Sequence, residues 1–452
     1  MGWALLQNAE AQVGTCIVGL GKTGLSVARY LLRQGEAVTV VDSRAEPPML
    51  RQLQSELPEV EAHCGGFDVE LFRRADRLVV SPGIALSEPA IAAARAAGVE
   101  VIGDIELFAR QARAPVVAIT GSNGKSTVTT LLGAMAREAG RDVRVGGNIG
   151  TPALELLQTT EPDLYVVELS SFQLETTHSL APAAAVVLNV SQDHLDRYSG
   201  LPEYAAAKRR IYQHARVKLI NLDDPVVAAW EGDEDGWCRF TLGRPRRADD
   251  FGLIALADGA WLAKGLQTLL PLSELKLAGL HNAANALAAL ALGEAMGLPM
   301  AAMLTTLRRF GGLPHRCQWL AQQDGVNWYN DSKATNVGAA VAAVNGMSGQ
   351  VVLLAGGEGK GQDFSPLREA LAHKGRAALL FGRDAPLIAA ALDGVVPVER
   401  AASLQQAVRV ARALARPGDA VLLAPACASF DQFQGYEDRG EQFAAAVQEV
   451  LS

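Results

Sequence analysis

The run Val116-Val-Ala-Ile-Thr-Gly-Ser-Asn-Gly-Lys-Ser-Thr127 decides the fold. Its apolar, mostly β-branched opening reads as a strand over Val116 to Ile119, and a glycine-containing turn delivers Lys125 and a hydroxyl residue to a long helix starting at Ser126. In such a turn successive backbone N–H groups wrap phosphate oxygens, Lys125 neutralises β/γ charge, and Ser126 or Thr127 reaches Mg²⁺. The usual phosphate-loop pattern has a glycine where this chain has Ile119. A plain strand-to-helix turn is therefore the competing reading, but the full strand, turn and helix context favours phosphate.

Upstream, a strand over Val13 to Val18 feeds Gly19-Leu-Gly-Lys-Thr-Gly24, a helix to Leu32 and a strand over Ala37 to Val41, which make one βαβ unit. With Asp42 about twenty residues beyond the turn, the unit reads as a dinucleotide fingerprint and, alone, suggests NAD. The same turn serves any diphosphate or is purely structural, and Lys22 adds a charge that a backbone site does not need. A strand over Arg77 to Val80 stops at Ser81-Pro82-Gly83, and a helix over Pro89 to Ala97 leads to Val101-Ile102.

Downstream come strands at Leu164 to Val167 and Ala184 to Asn189 and an Ala-rich helix from Asn282 to Met296. Pro299 and Gly311-Gly312-Leu313-Pro314 mark a boundary near residue 312. A third block has strands at Val351 to Leu354, Ala377 to Phe381 and Ala420 to Leu423. Strands alternating with helices almost throughout give an α/β protein with mostly parallel sheets.

Composition bounds the function. A chain of 452 residues suggests about three domains. With 41 basic against 49 acidic residues the formal charge is −8, so duplex nucleic acid and anionic membrane are repelled on average and a metabolite is the expected partner. Five scattered cysteines (Cys16, Cys64, Cys238, Cys317, Cys427) indicate neither a disulfide framework nor a zinc knuckle. The N-terminus lacks a signal-peptide pattern and no apolar stretch is long enough to span a bilayer, so a cytoplasmic protein is expected.

Other groups gather at strand ends, where ligands of open α/β sheets bind. Glu168, just after its strand, stands where a phosphate-loop protein places its magnesium-binding acid. Asp193, His194 and Asp196 close a later strand; a lone histidine is usually structural, but His194 beside two aspartates reads equally as a functional group, a metal ligand or an orienting residue. In the third block Asn327 to Asn336, Leu354 to Gly361 and Pro425 to Asp431 put small and polar residues beside strands. Lys333 and Lys360 there suit carboxylates, though they read equally as surface lysines.

Together Thr120-Gly-Ser-Asn-Gly-Lys-Ser-Thr, Glu168-Leu-Ser-Ser-Phe-Gln-Leu-Glu, Asp193-His-Leu-Asp, His281-Asn-Ala-Ala-Asn, Leu313-Pro-His-Arg, Asn330-Asp-Ser-Lys-Ala-Thr-Asn and Ala424-Pro-Ala-Cys-Ala-Ser resemble the Mur ligases, ATP-dependent amino-acid ligases of peptidoglycan synthesis. The resemblance spans essentially the whole chain. Its first block and its lack of an Asp-Asn-Pro-Arg motif are similar to the members that add D-glutamate to UDP-N-acetylmuramoyl-L-alanine. It implies three domains: a Rossmann-like one for the UDP substrate over 1–103, a central P-loop ATPase over 104–312 and a Rossmann-like one for the amino acid over 313–452.

The same resemblance implies the residue roles. Gly21, Lys22, Thr23, Ser43, Arg44, Ser81, Gly83 and Asn148 would hold the UDP substrate. Gly121, Ser122, Asn123, Gly124, Lys125, Ser126 and Thr127, with Asn282, Arg316 and Asp331, would hold ATP. Lys333, Thr335, Lys360, Ser429 and Tyr436 would frame D-glutamate. Ser126, Glu168 and His194 would bind two Mg²⁺ ions. Lys125, Glu168, His194 and Lys208 would be catalytic. Lys208 shares a helix face with Tyr204 and reads by spacing as a solvated cation, but the family carbamylates this lysine, which would make it a further metal ligand. Glu358 and Tyr436 depart from an aspartate and a phenylalanine common in the family. A monomer is expected. A dehydrogenase, read from the first block alone, and a non-catalytic nucleotide-binding protein are the competing classes.

Overall fold

The computed structural model describes residues 13–193, 197–276 and 279–451. The chain divides into two compact units: 13–120, Gly140–Val187 and Ala205–Lys218 form the first, and Gly121–Ala139, Leu188–Tyr204 and the chain from Leu219 onward form the second.

The first unit begins with strands β1 (Val13–Val18), β2 (Val38–Asp42), β3 (Glu61–Cys64), β4 (Ala75–Val80) and β5 (Glu100–Ile102), in the order β3-β2-β1-β4-β5. All neighbours are parallel. In central β1, Cys16, Ile17 and Val18 are wholly buried, which explains a continuous apolar run in place of alternation. The helix Lys22–Arg33 returns over the sheet, burying Gly24, Leu25, Ala28 and Leu31 at helical spacing. A Cβ at Gly24 would lie 1.9 Å from the Gly19 carbonyl oxygen, so only glycine lets the helix start this close to the strand end.

The same unit holds β6 (Val116–Thr120), β7 (Val143–Gly147), β8 (Leu164–Glu168) and β9 (Ala184–Val187), parallel in the order β9-β6-β8-β7. Every residue of β6, β8 and β9 is buried. Register sets Gly147 beside Glu168, so the last residues of β7 and β8 meet at one end of the sheet.

The second unit carries β10 (Val217–Asn221) from Leu219 onward, β11 (Trp237–Phe240), β12 (Phe251–Leu256), β13 (Gly259–Lys264) and β14 (Gln267–Pro271), of which the last three form an antiparallel meander. Its other sheet runs β15-β16-β20-β17-β18-β19, with β15 (Gln318–Gln323), β16 (Val326–Asn330), β17 (Val351–Gly356), β18 (Gly375–Phe381), β19 (Val398–Arg400) and β20 (Ala420–Leu423). Only the β15/β16 pair in that sheet is antiparallel. Alternation along β17 and β20 sends Leu353 and Leu422 into a cluster with Val344 and Leu367, and Val352 and Val421 into one with Trp328 and Phe443.

Several local expectations are corrected. Glu168 ends β8 and does not follow it. Strand β9 stops at Val187, two residues before Asn189, because the Asn189 carbonyl accepts from Ser122 N–H and the Val190 N–H is taken by the Asp224 carboxylate. The phosphate-loop helix runs Lys125–Glu138, one residue earlier than expected. Pro299 starts a helix, Met300–Arg309, that the sequence reading did not anticipate. Lys208 is no solvated cation: it lies on the helix Leu201–Arg209 and is 1% exposed. Among the described residues no helix is long and apolar enough to cross a membrane.

Candidate functional site

In the second unit the glycine turn is fixed by its neighbours before any ligand is considered. Asn189 accepts from the Asn123 N–H at 2.8 Å and donates through Nδ2 to the Asn123 carbonyl at 3.1 Å. The Ser122 hydroxyl donates to the Ser191 carbonyl and accepts from the Ser191 N–H. Gly124 takes φ +85° at the N-cap, and a Cβ there would sit 2.4 Å from Asn285 Oδ1. Lys125 Nζ donates to the carbonyls of Gly121 and Ser122 at 2.8 and 3.0 Å, which holds the ammonium against the loop.

Beside this turn opens a cavity of about 340 Å³. Of the residues expected to bind ATP, Asn123, Gly124, Thr127, Asn282, Arg316 and Asp331 line it. Arg316 Nη2 donates to the Ser126 hydroxyl at 2.5 Å, bringing a cation from the third block to the phosphate loop. Burial pushes the Asp331 carboxyl up to about 6, against the lowering influence of the Cys317 N–H, which it accepts at 3.0 Å, and of the Arg316 charge. Asn336 Nδ2 donates to Asn123 Oδ1 at 3.3 Å, a second tie between third-block loop and glycine turn.

The expected amino-acid residues occupy three loops of the same unit and, for Tyr436, the start of the helix Tyr436–Leu451. Lys333 lines the cavity, and its Nζ stands 3.9 Å above the Tyr436 ring, a cation–π contact. Thr335 turns back to donate its N–H to the Lys333 carbonyl. Glu358 and Ala428 exchange both backbone hydrogen bonds at 2.9 Å, which draws the loop carrying Lys360 alongside the one carrying Ser429. Ser429 is buried, whereas Lys360 is exposed on a backbone with φ +53°. Glu358, where an aspartate is common, pairs with Arg383 at 2.9 Å.

The first unit has a separate cavity of about 580 Å³. All eight residues expected to hold the UDP substrate line it, from Gly21 to Asn148. Asp42 does not serve a ribose here: Oδ2 accepts from the Leu20 N–H at 2.7 Å and Arg44 Nη2 at 2.6 Å, and Oδ1 from Arg44 N and Nε. Burial alone would raise this carboxyl; the Arg44 side chain and the two backbone N–H groups outweigh it and hold it at about 2. With both oxygens turned to its own loop, the acid of the dinucleotide fingerprint is spent on positioning Arg44, and the dehydrogenase reading loses its main support.

Also in the first unit, Glu168 is 2% exposed. Its Oε1 accepts from Asn148 Nδ2 at 2.8 Å, and its Oε2 is buried with no protein partner. A buried carboxylate oxygen left so is what a cation site requires. His194 and Asp196 lie outside the described residues.

Three family models match successive parts of the chain: the Mur ligase MurD-like N-terminal domain over residues 14–103, the Mur ligase middle domain over 119–293 and the Mur ligase glutamate ligase domain over 315–427. A protein of Nitrosococcus oceani named UDP-N-acetylmuramoylalanine–D-glutamate ligase is 57% identical over 438 residues, 96% of each chain. The chain belongs to the Mur ligase family. Solved structures agree in fold: the UDP-N-acetylmuramate-alanine ligase of Thermotoga maritima superposes with TM-score 0.61 at 18% identity, covering 96% of this chain and 99% of that one. The MurF ligase of Thermotoga maritima in complex with ADP gives TM-score 0.58 at 16% identity, covering 98% and 96%.

This Mur ligase therefore has the three-domain α/β fold expected from its motifs. Sequence reasoning missed Asn285, which lines the second-unit cavity and donates to Asn282 Oδ1 at 3.2 Å. Its signal was present, since Asn282 and Asn285 are three apart and share a helix face. Gln173, in the wall of the first-unit cavity, was also missed; the structure makes it the capping-box partner of Ser170 as well.

Proposed function

We infer that this Mur ligase adds D-glutamate to UDP-N-acetylmuramoyl-L-alanine with ATP, through an acyl phosphate, giving ADP and phosphate in peptidoglycan precursor synthesis. The observation that carries the reading is the 57% identity with the Nitrosococcus oceani ligase over 96% of both chains. Segments 1–103, 104–312 and 313–452 are read as the UDP-substrate, ATP and amino-acid domains, and each family model falls within one of them. Under this reading the enzyme acts in the cytoplasm, as a monomer.

The chemistry explains the inventory. A carboxylate is a poor electrophile and repels a triphosphate. The alanyl carboxylate oxygen forms a bond to the γ-phosphorus, the bond to the β,γ-bridging oxygen breaks, and ADP leaves with that electron pair. Lys125 offsets charge on the transferring group while the N–H groups of the glycine turn hold the phosphates. Asn282, Arg316 and Asp331 orient the rest of ATP; Ser43 and Arg44 hold the uracil end of the other substrate, and the turn from Gly19 to Gly24 its diphosphate. The neutral amine of D-glutamate, held by Lys333, Thr335, Lys360, Ser429 and Tyr436, then attacks the acyl carbon. The tetrahedral intermediate expels phosphate and the nitrogen gives up a proton, leaving an amide.

Magnesium, when bound, supplies charge neutralisation for phosphoryl transfer. The Ser126 hydroxyl is proposed as a ligand on the nucleotide side. In the first unit Glu168 is proposed as a ligand through the unpartnered Oε2, with His194 assigned from the motif alone. Lys208 is proposed to be carbamylated: its neutral amine forms an N–C bond to CO₂ and releases one proton, turning a cation into a carboxylate.

Phosphate release measured over UDP-muramoyl substrates and D- and L-amino acids tests the reading. Turnover should require both UDP-N-acetylmuramoyl-L-alanine and D-glutamate. Equal rates with L-glutamate, or with a substrate lacking the alanyl group, would overturn it.

A further inference from the structure

An arginine that no catalytic role absorbs lies behind the proposed amino-acid site. Arg439, on the helix Tyr436–Leu451, is 0% exposed. Among the described residues no carboxylate lies in ion-pair range; Asp431 influences it only from farther away and gives its Oδ2 to the Arg383 N–H. The guanidinium partners are instead a hydroxyl and three backbone carbonyls. Nε donates to Ser332 Oγ at 3.0 Å, Nη2 to the Ser332 carbonyl at 2.9 Å and the Cys427 carbonyl at 3.1 Å, and Nη1 to the Gly356 carbonyl at 3.5 Å. Burial pulls the guanidinium down to about 10, which leaves it ionised at neutral pH.

Those carbonyls belong to three separate loops. Ser332 immediately precedes Lys333, Gly356 ends β17 where the loop to Lys360 begins, and Cys427 stands two residues before Ser429. The Ser332 hydroxyl that accepts from Arg439 donates in turn to the Tyr436 carbonyl at 2.8 Å. A planar fork with five donors can hold several carbonyls in fixed relation, as a lysine point charge cannot.

We propose that Arg439 is a positioning residue for the acceptor: it locks the loops bearing Lys333, Lys360 and Ser429 in one register, so that their cationic and hydroxyl groups match the two carboxylates of the amino acid. The proposal rests on the reading of these loops as the D-glutamate site. It assigns Arg439 no contact with substrate. Its loss therefore acts chiefly on acceptor affinity and selectivity: the cavity proposed for the UDP substrate lies in the other unit, and Asp331, which precedes Ser332, is held independently by the Cys317 N–H and the Leu423 carbonyl.

The test is steady-state kinetics of Arg439→Lys and Arg439→Gln with each substrate varied in turn, beside melting temperatures. The expected result is a rise of at least about tenfold in KM for D-glutamate, with KM for ATP and for the UDP substrate within about twofold of the parent. The preference for D-glutamate over D-glutamine, which lacks the second carboxylate, should fall in parallel. Should neither variant fold, Ser332→Ala removes the hydroxyl that receives Nε and should shift the D-glutamate KM in the same direction by about threefold. An unchanged D-glutamate KM, or equal rises in all three KM values, would overturn the role. Ser429→Ala separates this from the underlying reading: raised D-glutamate KM there with unaffected Arg439 variants condemns the positioning role alone. Unaffected kinetics in Ser429→Ala condemn the acceptor site and, with it, the proposal.

Discussion

Asn148 grips Glu168 twice: its backbone N–H donates to the Glu168 carbonyl at 2.8 Å, and its Nδ2 donates to the carboxylate Oε1, also at 2.8 Å. The side chain can take this position because Gly147, at φ +99°, turns the chain where a Cβ would lie 2.4 Å from the Glu168 carbonyl oxygen. One carboxylate oxygen is thereby pinned and the other, Oε2, is left buried and unpartnered. An oriented carboxylate with one satisfied oxygen is a better cation ligand than a free rotor, since less freedom is lost on binding.

From that relationship, Asn148→Ala should raise the Mg²⁺ concentration for half-maximal phosphate release by about tenfold, the lower end of what loss of an outer-shell partner costs. A magnesium titration at saturating ATP and UDP substrate reads the effect. An unchanged midpoint would show that the clamp does not serve a metal.

Lys125→Ala should abolish acyl-phosphate formation while UDP-substrate binding stays within about twofold, because the ammonium is held on the loop proposed for the nucleotide and the cavity proposed for the UDP substrate lies in the other unit. Calorimetric binding of the UDP substrate beside a phosphate-release assay separates the two. Parallel loss of both would contradict the division of labour.

Arg44→Ala should raise KM for the UDP substrate by about tenfold with little change for ATP. Arg44 lines the first-unit cavity and is held there by both oxygens of Asp42. Equal effects on both substrates would count against the assignment.

Much of this was legible because the informative signals were local. The strand, glycine turn and helix around Lys125, and the βαβ unit around Gly19, depend on contiguous residues, and the eight residues assigned to one substrate do share one cavity. The meander β12 to β14 was less visible. Phe251–Leu256 has two buried residues, then two half-buried and two exposed, so neither alternation nor a continuous apolar run announces it, though Ala257-Asp258 makes the two-residue turn and Gly259 opens the next strand. Asp42 misled for a different reason: spacing alone does not say whether a carboxylate faces a ribose or its own loop. Arg439 was illegible outright, since an arginine on an amphipathic helix reads as solvent-facing until its carbonyl partners, distant in sequence, are brought to it.

Asp104 gives a pH-dependent prediction. It is 3% exposed, its Oδ2 accepts from Gln173 Nε2 at 3.2 Å, and its Oδ1 is buried without a partner. Burial raises the carboxyl from 3.8 to about 6, with the Gln173 bond opposing. The folded value lies above the unfolded one, so the contribution to stability is fully present below pH about 4 and is lost as pH rises through about 6; the penalty above that is about 3 kcal/mol. Asp104→Asn should therefore melt higher than the parent at pH 8, and the gap should narrow at pH 5. A gap independent of pH would show that Asp104 does not titrate in this range.

The last prediction concerns Lys208, which is 1% exposed on the helix that also buries Tyr204 to 2%. A long side chain committed to the interior is poorly explained by surface solubility, and the proposed carbamate gives it a purpose: a carboxylate on a long stem reaches where an aspartate would fall short, and adds oxygen ligands that a hard cation needs. Lys208→Ala should be nearly inactive while still binding ATP and the UDP substrate. Acetate, a free carboxylate small enough to enter the vacated space, should restore part of the activity in a saturable way, whereas chloride at the same ionic strength should not. Rescue will be incomplete because the untethered acid loses translational freedom that the side chain has already given up. Full activity in the alanine variant would eliminate the role. Restoration by chloride as well as acetate would reduce it to an ionic-strength effect.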